Sequence, residues 1–343
     1  MATDRPRRAW LSLDYVKQNS KSNARTPKVL ADYIEEFEYI DPATGESDTI
    51  SVNFANVDMR WMNSWMPQKG DKLIAKIILR SWSTLNSKKQ FTCGKFALDD
   101  ISFSGPTLTC RIGGTSVPET NSFRSTLRSK TWKKITIKVL ASGIAKRYHM
   151  QLHYEAKTIR IKTLEQSNES DCSFLNKVCE DYGLGIKVYA GKIVIYDKGN
   201  YENKKAVTTL YAKDLLSWSY NSTLVGTYTG AVIKYNPPGR KKKTVSHKVG
   251  SGRRILKINE TVDNIADAEL KACAQINKEN EKAVTMSVTI MANNKINATD
   301  TIYISGLKKL DGKYFVDKVT HNLSNSGYTM SLELHKCQKR FGG

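Results

Sequence analysis

The sequence predicts an α+β fold that is mainly β, with two similar small β-barrel domains flanking a central α/β module. Short alternating segments, separated by Gly, Pro, Asn and Asp turns, fill both ends of the 343-residue chain, as is typical of small barrels or sandwiches. The segment GKFALDDI at residues 94–101 also recurs as GKYFVDKV at residues 312–319, each followed by a turn and another strand-like run. We expect the first barrel at residues 1–124, the module at 125–200 and the second barrel at 201–343.

The first region is predicted to hold about six short strands. The second of them ends at a turn signal, Asp41-Pro42-Ala43-Thr44-Gly45. In chain order the predicted strands are 9–13, 33–40, 49–54, 72–80, 94–100 and 108–112.

The middle region is predicted to contain two amphipathic helices. Thr136 and Ser170 are candidate N-caps, because each hydroxyl can accept a hydrogen bond from a first-turn amide. Gly183 follows the second apolar stripe as a C-terminal cap residue. A strand at 150–154 and a hairpin turning at Ala190-Gly191 complete the predicted module.

The last region returns to strands around one helix. A strand at 231–235 and another at 256–259 flank a basic loop predicted at 237–254. An Ala-rich helix is predicted at about 264–282, and three further strands end at Leu334.

The chain is strongly basic, with a net charge of +21. Clusters occur at Arg5–Arg8, Arg240–Lys243 and Arg253-Arg254. Such charge indicates contact with nucleic acid or another polyanion, or else a soluble basic surface, or a face that meets an acidic partner in a complex. No apolar run is long enough for a membrane span, and the charged N-terminus lacks a signal peptide's apolar core, so we expect synthesis and folding in a cytoplasm. The six cysteines are expected to be reduced thiols.

No catalytic, cofactor-binding or metal-binding residue is predicted. The chain lacks a P-loop, GxGxxG, GxSxG and HExxH. His149 and His153 are four apart on a predicted strand, too far apart to share a metal. Asp99 and Asp100 point to opposite faces of a strand, and His321 is expected to be a structural histidine.

One loop is unusually rich in large apolar side chains. It contains Trp61, Met62, Trp65 and Met66, together with Met59. One interpretation is a plug or edge cover for the first barrel. The other is a subunit contact, because Trp and Met are enriched in interface cores. We take Trp61, Trp65, Met62 and Met66 as candidate interface residues.

Several motifs, taken in order, resemble a known family. In the middle of the chain these are Gln166–Asp171, Phe174-Leu175, Asp181–Leu184 and Lys192–Ile195. The ending has Asp311–Val316, Val319–His321, Gly327–Thr329 and Leu332–Leu334, and the opening has Arg5–Trp10, Pro67–Asp71 and Cys93–Phe96. Together they are similar to the phage late control D proteins, which are baseplate hub proteins of contractile tails, phage-like particles and bacteriocins. This family is related to the hub part of type VI secretion spike proteins.

The resemblance implies a structural protein of a phage tail or phage-like particle, made in the bacterial cytoplasm. Such hubs are homotrimers between a hexameric tail tube and a trimeric spike. Two similar β-barrel domains per chain convert threefold into pseudo-sixfold symmetry. The implied partners are the tail tube protein, the spike, other baseplate proteins and the tape measure protein, with DNA passage through the channel and no membrane insertion.

Two other functions compete with a hub. A cytoplasmic polyanion-binding β protein is favoured by the charge, and would need basic residues converging on one groove with exposed aromatics. A tail-delivered cell-wall hydrolase is disfavoured because no catalytic constellation is found. Because the sequence ends nine residues after Leu334, we also expect no appended hydrolase or spike domain.

Overall fold

The structure is a computed structural model that describes residues 7–17, 31–82, 84–116, 122–189, 191–235, 245–260 and 262–342. It is mainly β, with helices confined to short segments, as the sequence predicts. No helix within these ranges is long and apolar enough to cross a membrane. The basic cluster at Arg240–Lys243, Arg5 and Pro6 of the N-terminal cluster, and the turn residue Ala190 lie outside the described residues.

The first region forms six strands because apolar side chains alternate with polar ones over short lengths. Thr49–Ala55 shows this pattern clearly, with every second side chain buried. The strands are β1 (Arg8–Val16), β2 (Ile34–Pro42), β3 (Thr49–Ala55), β4 (Lys72–Arg80), β5 (Lys88–Ser104) and β6 (Thr109–Thr115). They pair antiparallel in the order β1-β4-β5-β6-β3-β2.

The middle region is the α/β module. Its elements are α1 (Ser122–Ser125), β7 (Leu127–Thr136), α2 (Ile137–Arg147), β8 (Gln151–Glu155), β9 (Arg160–Ser170), α3 (Asp171–Asp181), β10 (Leu184–Tyr189), β11 (Lys192–Asp197) and α4 (Lys198–Asn203). β10, β11 and β8 form one small sheet, and β7 pairs with β9.

Both predicted helix caps of the module are confirmed. The Thr136 hydroxyl accepts a hydrogen bond from the Val139 amide at 3.2 Å, and the Ser170 hydroxyl accepts one from the Ser173 amide at 3.2 Å. Gly183 follows α3 with φ +70°, a conformation that glycine adopts without strain. The apolar stripes of α2 and α3 pack together in a core of their own.

The last region contains nine strands and the longest helix described. These are β12 (Thr209–Tyr211), β13 (Leu215–Ser222), β14 (Gly230–Tyr235), β15 (Val245–Gly250), β16 (Ile255–Asn259), α5 (Ile265–Asn280), β17 (Val284–Met291), β18 (Thr301–Ser305), β19 (Gly312–Ser324) and β20 (Gly327–Lys336). β15, β14 and β16 form a small sheet against α5. The prediction of a basic loop at 237–254 is therefore wrong over Val245–Gly250, where the chain forms a strand that pairs with β14.

The duplication seen in the sequence extends to the whole strand order. Six strands of the last region pair in the order β12-β18-β19-β20-β17-β13, which repeats β1-β4-β5-β6-β3-β2 position by position. One bulge interrupts the β5–β6 pair between Leu98 and Asp100, and one interrupts the β19–β20 pair between Val316 and Lys318. These are equivalent positions of GKFALDDI and GKYFVDKV. The outer strands differ, because β1 lies antiparallel to β4 whereas β12 lies parallel to β18.

The two repeats are joined into one sheet. The edge strand β2 pairs antiparallel with the second half of β19, from Pro42 opposite Lys318 to Glu36 opposite Ser324. The result is a 12-stranded sheet, with β1 and β13 at the ends of its main path. The predicted pair of closed barrels is not confirmed, because β2 pairs with the other repeat and the described strands close no barrel.

One hydrophobic core serves both repeats. It contains Phe37, Tyr39 and Phe54 from the first repeat and Tyr314, Tyr328 and Leu332 from the second. The α/β module and the β14–α5 layer have separate smaller cores. The repeats are therefore held together both by backbone pairing and by shared apolar burial.

Candidate assembly surface

The Trp-Met loop between β3 and β4 is fixed to the first repeat at both ends. The buried Asn56 donates its backbone N–H to the Leu108 carbonyl at 2.9 Å, and its Oδ1 accepts from the Trp61 amide at 3.1 Å. At the other end, the buried Asp71 accepts from the Tyr15 hydroxyl and from the Gln68 amide. These hydrogen bonds hold both ends of the loop in a defined position on the first repeat.

The four predicted interface residues of this loop separate into two groups. Trp61 is 2% exposed and packs on Phe54 with ring centroids 4.2 Å apart, so it plugs the core. Trp65 is half-buried, edge-on to Tyr33 at 5.3 Å. Met62 and Met66 are 44% and 47% exposed. The tryptophans therefore cover the core, whereas the methionines face outward, and the subunit contact stays a prediction.

Strand edges of the large sheet with an open side among the described residues include β1 and β12, which pair only with β4 and β18, and two further edges, β13 and the second half of β5. β13 pairs only with β17 there. β5 pairs with β4 through Lys88–Ala97, and Leu98 is hydrogen-bonded to Gly70 and Asp71, but over residues 99–104 its only strand partner is β6. Free N–H and C=O groups along such edges are sites for pairing with another strand.

One side of the large sheet points away from the shared core and is here called the polar face. It runs through the strands β5, β6, β3, β2, β19, β20, β17 and β13. Short uncharged side chains line most of it. Cross-strand hydrogen bonds lie on it, such as Arg111 Nε to Ser51 Oγ at 2.8 Å and Asn53 Nδ2 to Glu36 at 3.0 Å. Its hydroxyl and amide residues include Thr49, Ser51, Asn53, Ser102, Thr320, Asn322, Ser331, Thr289, Ser219 and Asn221.

The charges on the polar face do not follow the charge of the whole chain. Its exposed or half-buried carboxylates include Glu36, Glu38, Asp99, Asp100 and Glu333, and its cations include Lys95, Arg111 and Lys318. Lys318 is already paired with Glu333 at 3.0 Å. The cations on this face therefore do not outnumber its carboxylates, although the whole protein has a net charge of +21.

The turn between β2 and β3 is where the α/β module docks. Lys187 of β10 reaches the buried Asp41, and its Nζ lies 3.5 Å from Asp48 Oδ1. Burial raises the pKa of Asp48 to about 7, against the opposing hydrogen bond from Tyr39, and burial lowers the pKa of Lys187 to about 8. The Tyr196 hydroxyl adds a hydrogen bond to the Ala43 carbonyl at 3.0 Å.

A second buried charge cluster lies at the end of β20. His335 is held between Asp317 at 2.8 Å and Glu202 at 3.1 Å, and Arg340 binds both Glu202 and Glu281. Burial disfavours the imidazolium, but the charge and hydrogen bonds of Asp317, with Glu202, raise the pKa of His335 to about 10. These ion pairs bind α4 and the C-terminal segment to the second repeat.

His321 and His153 each have a hydrogen-bond partner within the chain. His321 is buried, its Nδ1 lies 2.6 Å from the Tyr328 hydroxyl, and burial lowers its pKa to about 3. It is neutral and hydrogen-bonded, as predicted. His153 pairs with Glu155 at 2.6 Å on β8. Within the described residues, no group of three or more His, Cys, Asp or Glu is arranged to hold a metal.

Sequence reasoning missed the open edges of β13 and β5, although signals for them exist. Strands β3 and β17 are equivalent and read TISVNFA and TMSVTIM, a second repeated motif that would have aligned the edge strands beside them. The run LLSWSYNS of β13 has no charge, which is unusual for an edge strand.

The comparisons with known proteins agree with this architecture. A YQBQ-like family profile matches residues 242–335. In sequence the chain is similar to the probable baseplate hub protein of Escherichia phage 186, with 26% identity over 75% of this chain and 78% of that protein. It is also similar to the probable baseplate hub protein of Escherichia phage P2, with 25% identity over 70% and 74% of the two chains.

Solved structures share the fold. The 43 kDa tail protein of prophage MuSo2 from Shewanella oneidensis matches with a TM-score of 0.71 at 12% identity, over 96% of this chain and 98% of that one. An Escherichia coli protein described as a component of the type VI secretion system matches with a TM-score of 0.59 at 8% identity, over 96% and 78%. The resemblance to baseplate hub proteins that the sequence motifs predict is confirmed.

Proposed function

We infer that this chain is a structural baseplate hub protein of a contractile phage tail or phage-like particle, located in the tail baseplate. Its similarity to the hub proteins of phages 186 and P2 supports this function. The single structural observation behind it is the repeated strand order, which gives one chain two equivalent β units.

The proposed mechanism is geometric. The chain forms a homotrimer, so that three chains present six similar β units to a hexameric tail tube on one side and a trimeric spike on the other. The two repeats are the β units of this mechanism and take the place of two closed barrels. The module at about 125–200 lies between them in the sequence. A head-to-tail contact between copies closes such a ring.

The polar face is proposed to line the channel of this ring. The opposite side of the same sheet is covered by the shared core, so the polar face is the side left for a solvent-filled passage. Because the cations on this face do not outnumber its carboxylates, the excess positive charge of the chain is proposed to serve contacts elsewhere, with baseplate neighbours. Tape measure protein or DNA would pass along uncharged hydroxyl and amide groups.

The remaining proposed partners are the tube protein, the spike and other baseplate proteins, and the function is not enzymatic. The Trp-Met loop is kept as a proposed contact surface through Met62 and Met66, with Trp61 and Trp65 supporting it from the core side. The competing polyanion-binding function requires basic residues gathered on one groove, and the polar face lacks them.

Light scattering after size exclusion, at moderate and at high salt, tests the hub function. We expect a salt-stable species near three times 38.6 kDa, because apolar and backbone contacts are insensitive to screening. A monomer that changes mass only when duplex DNA is added would instead support polyanion binding. Adding the purified spike of the same particle serves as the matched partner control.

A further inference from the structure

The second repeat ends in an edge strand that is unusually unprotected. β13 has no charged residue, and Leu216 and Trp218 on it are 57% and 47% exposed. Natural edge strands are commonly shielded by charges or proline, because their free backbone groups accept further strands. This edge has neither, so it is suited to a strand partner.

The first repeat shows what covers the same position. β2 occupies the place in its repeat that β13 occupies in the other, and each pair with its inner neighbour has a bulge at the equivalent point. β2 is covered by β19, and Phe37 and Tyr39 are 0% and 2% exposed there. β13 has aromatic residues at the two equivalent positions, Trp218 and Tyr220.

The strand that does the covering also has an equivalent. β19 corresponds to β5, through the GKYFVDKV and GKFALDDI motifs and their shared bulge. In β19, the segment Lys318–Ser324 pairs with both β20 and β2. In β5, the equivalent segment pairs with β6 alone among the described strands, and its residues from Asp99 to Ser104 are exposed or half-buried.

We propose that β13 of one copy pairs antiparallel with the second half of β5 in the next copy, in the register that joins β2 to β19 within each chain. Aligning the repeats by strand order and bulges puts Ile101 opposite Ser222, Ser102 opposite Asn221, Phe103 opposite Tyr220 and Ser104 opposite Ser219. The pairing ends at Gly105 and Pro106, because proline has no backbone N–H to donate.

The aromatic contacts of the internal joint are reproduced in this register. Within the chain, Tyr39 stacks on His321 with ring centroids 5.4 Å apart. Tyr220 and Phe103 occupy the equivalent positions, and both are half-buried against the shared core. The contact between copies would bury them as an aromatic cross-strand pair, which contributes stability beyond its apolar area.

A second copy of this chain is the partner that fits. One chain offers the donor edge β13 and the acceptor edge of β5 at different places, so the contact is head-to-tail and propagates from copy to copy. The size of the closed ring rests on the proposed hub function, whereas the pairing itself does not.

Disulfide trapping in the full chain tests this register. In Ser102→Cys combined with Asn221→Cys, directly opposed cysteines would have Cα atoms about 4.5–5.5 Å apart, within the range of a disulfide. Both positions are exposed in the single chain, so the fold should be retained. After mild oxidation we expect a ladder of covalent dimer and trimer on a non-reducing denaturing gel, and its loss on reduction.

Three controls make the result specific. Each single variant reports on cross-linking through the six native cysteines, of which Cys172 and Cys337 are half-buried. Ser102→Cys with Ser217→Cys moves one thiol about 13 Å along the strand and should give no ladder. Ile40→Cys with Thr320→Cys occupies the equivalent positions of the internal joint and should cross-link within one chain.

The outcomes separate this pairing from the hub function. A ladder restricted to the in-register variant supports the pairing. If light scattering gives a trimer and no ladder forms, the pairing is overturned and the trimeric hub stands. A ladder on an assembly of another size supports the pairing and overturns the proposed trimer. A monomer without cross-links at the highest soluble concentration overturns the pairing, while the similarity to hub proteins remains.

Discussion

The edge strands β2 and β13 hold the same place in two repeats of identical strand order, but only β2 is covered. β2 is paired with β19 and its aromatic residues are buried, whereas β13 presents Trp218 to solvent. The same strand order therefore leaves an edge strand either buried or exposed, and the outcome depends on whether another strand pairs with it. The covered edge holds the two repeats of one chain together, and the bare edge is available to another chain.

The largest expected difference comes from truncating the equivalent aromatic residues of these two edges. Phe37→Ala should destabilise the chain by about 3–5 kcal/mol, because Phe37 is fully buried. Trp218→Ala should lower the free energy of unfolding by less than about 1 kcal/mol but weaken self-association. Urea unfolding and light scattering measure the two effects. Equal losses of stability would show that β13 is already covered within one chain.

The two repeats also differ in how they satisfy one equivalent carboxylate. In the first repeat, Asp99 accepts a hydrogen bond from Thr115, and in the second, Asp317 faces His335. The folded pKa of His335, about 10, lies above its ordinary 6.5, so its contribution is complete below about pH 6.5 and is lost as pH rises through about 10. His335→Gln should cost about 2–3 kcal/mol near pH 6 and less at pH 10.

The matched control for that prediction is Thr115→Val in the first repeat. Its cost should stay constant over the same pH interval, since threonine does not titrate there. Free energies of unfolding from urea titrations at pH 6, 8 and 10 give both curves. A His335→Gln cost that grows with pH would contradict a charged imidazole.

The turn following β2 docks the α/β module, whereas the connection following β13 contains β14–β16 and α5. Lys187→Met removes the ammonium group beside Asp41 and Asp48, and should cost about 2 kcal/mol near pH 7.5, between the pKa of Asp48, about 7, and that of Lys187, about 8. The cost should shrink at pH 5, where Asp48, with a pKa of about 7, is protonated. Lys192→Met on the exposed part of β11 is the control, and thermal unfolding at both pH values is the measurement.

The smallest effect on stability is expected at the Trp-Met loop. Met62→Ser with Met66→Ser should change the free energy of unfolding by less than about 0.5 kcal/mol, because both side chains are exposed. Trp61→Ala should cost several times more, since its indole plugs the core. Weaker assembly of the Met variant on a light-scattering titration would support a contact there. Unchanged assembly would restrict the loop to covering the core.

Local signals in the sequence predicted local structure well. The helix caps Thr136 and Ser170 and the glycine after α3 follow from hydrogen-bond needs that any first or last helical turn has. The repeated Gly-Lys-aromatic motif was visible because it contains a bulge whose backbone demands recur in both copies. These features depend on neighbours a few residues away.

Pairing between distant strands could not be predicted in the same way. Two closed barrels and one joined sheet have the same alternation of apolar and polar residues. This alternation therefore does not show that β2 pairs with β19 of the other repeat, which places Tyr39 opposite His321. The strand at Val245–Gly250 was missed because its basic, glycine-containing surroundings suggested a loop, although Val245, His247 and Val249 alternate with exposed residues. The buried cluster of His335, Glu202 and Arg340 joins residues far apart in the chain.

The polar face has a mechanical consequence for anything that moves along it. Lysine and arginine side chains on a channel wall would form ion pairs with successive phosphates and slow the passage of a polyanion. Here the cations are few, and Lys318 is occupied by Glu333 while Arg111 is hydrogen-bonded to Ser51. Serine, threonine and asparagine offer only short, exchangeable hydrogen bonds like those of water. If the polar face lines the proposed channel, it offers a passing polymer few unpaired cations to bind.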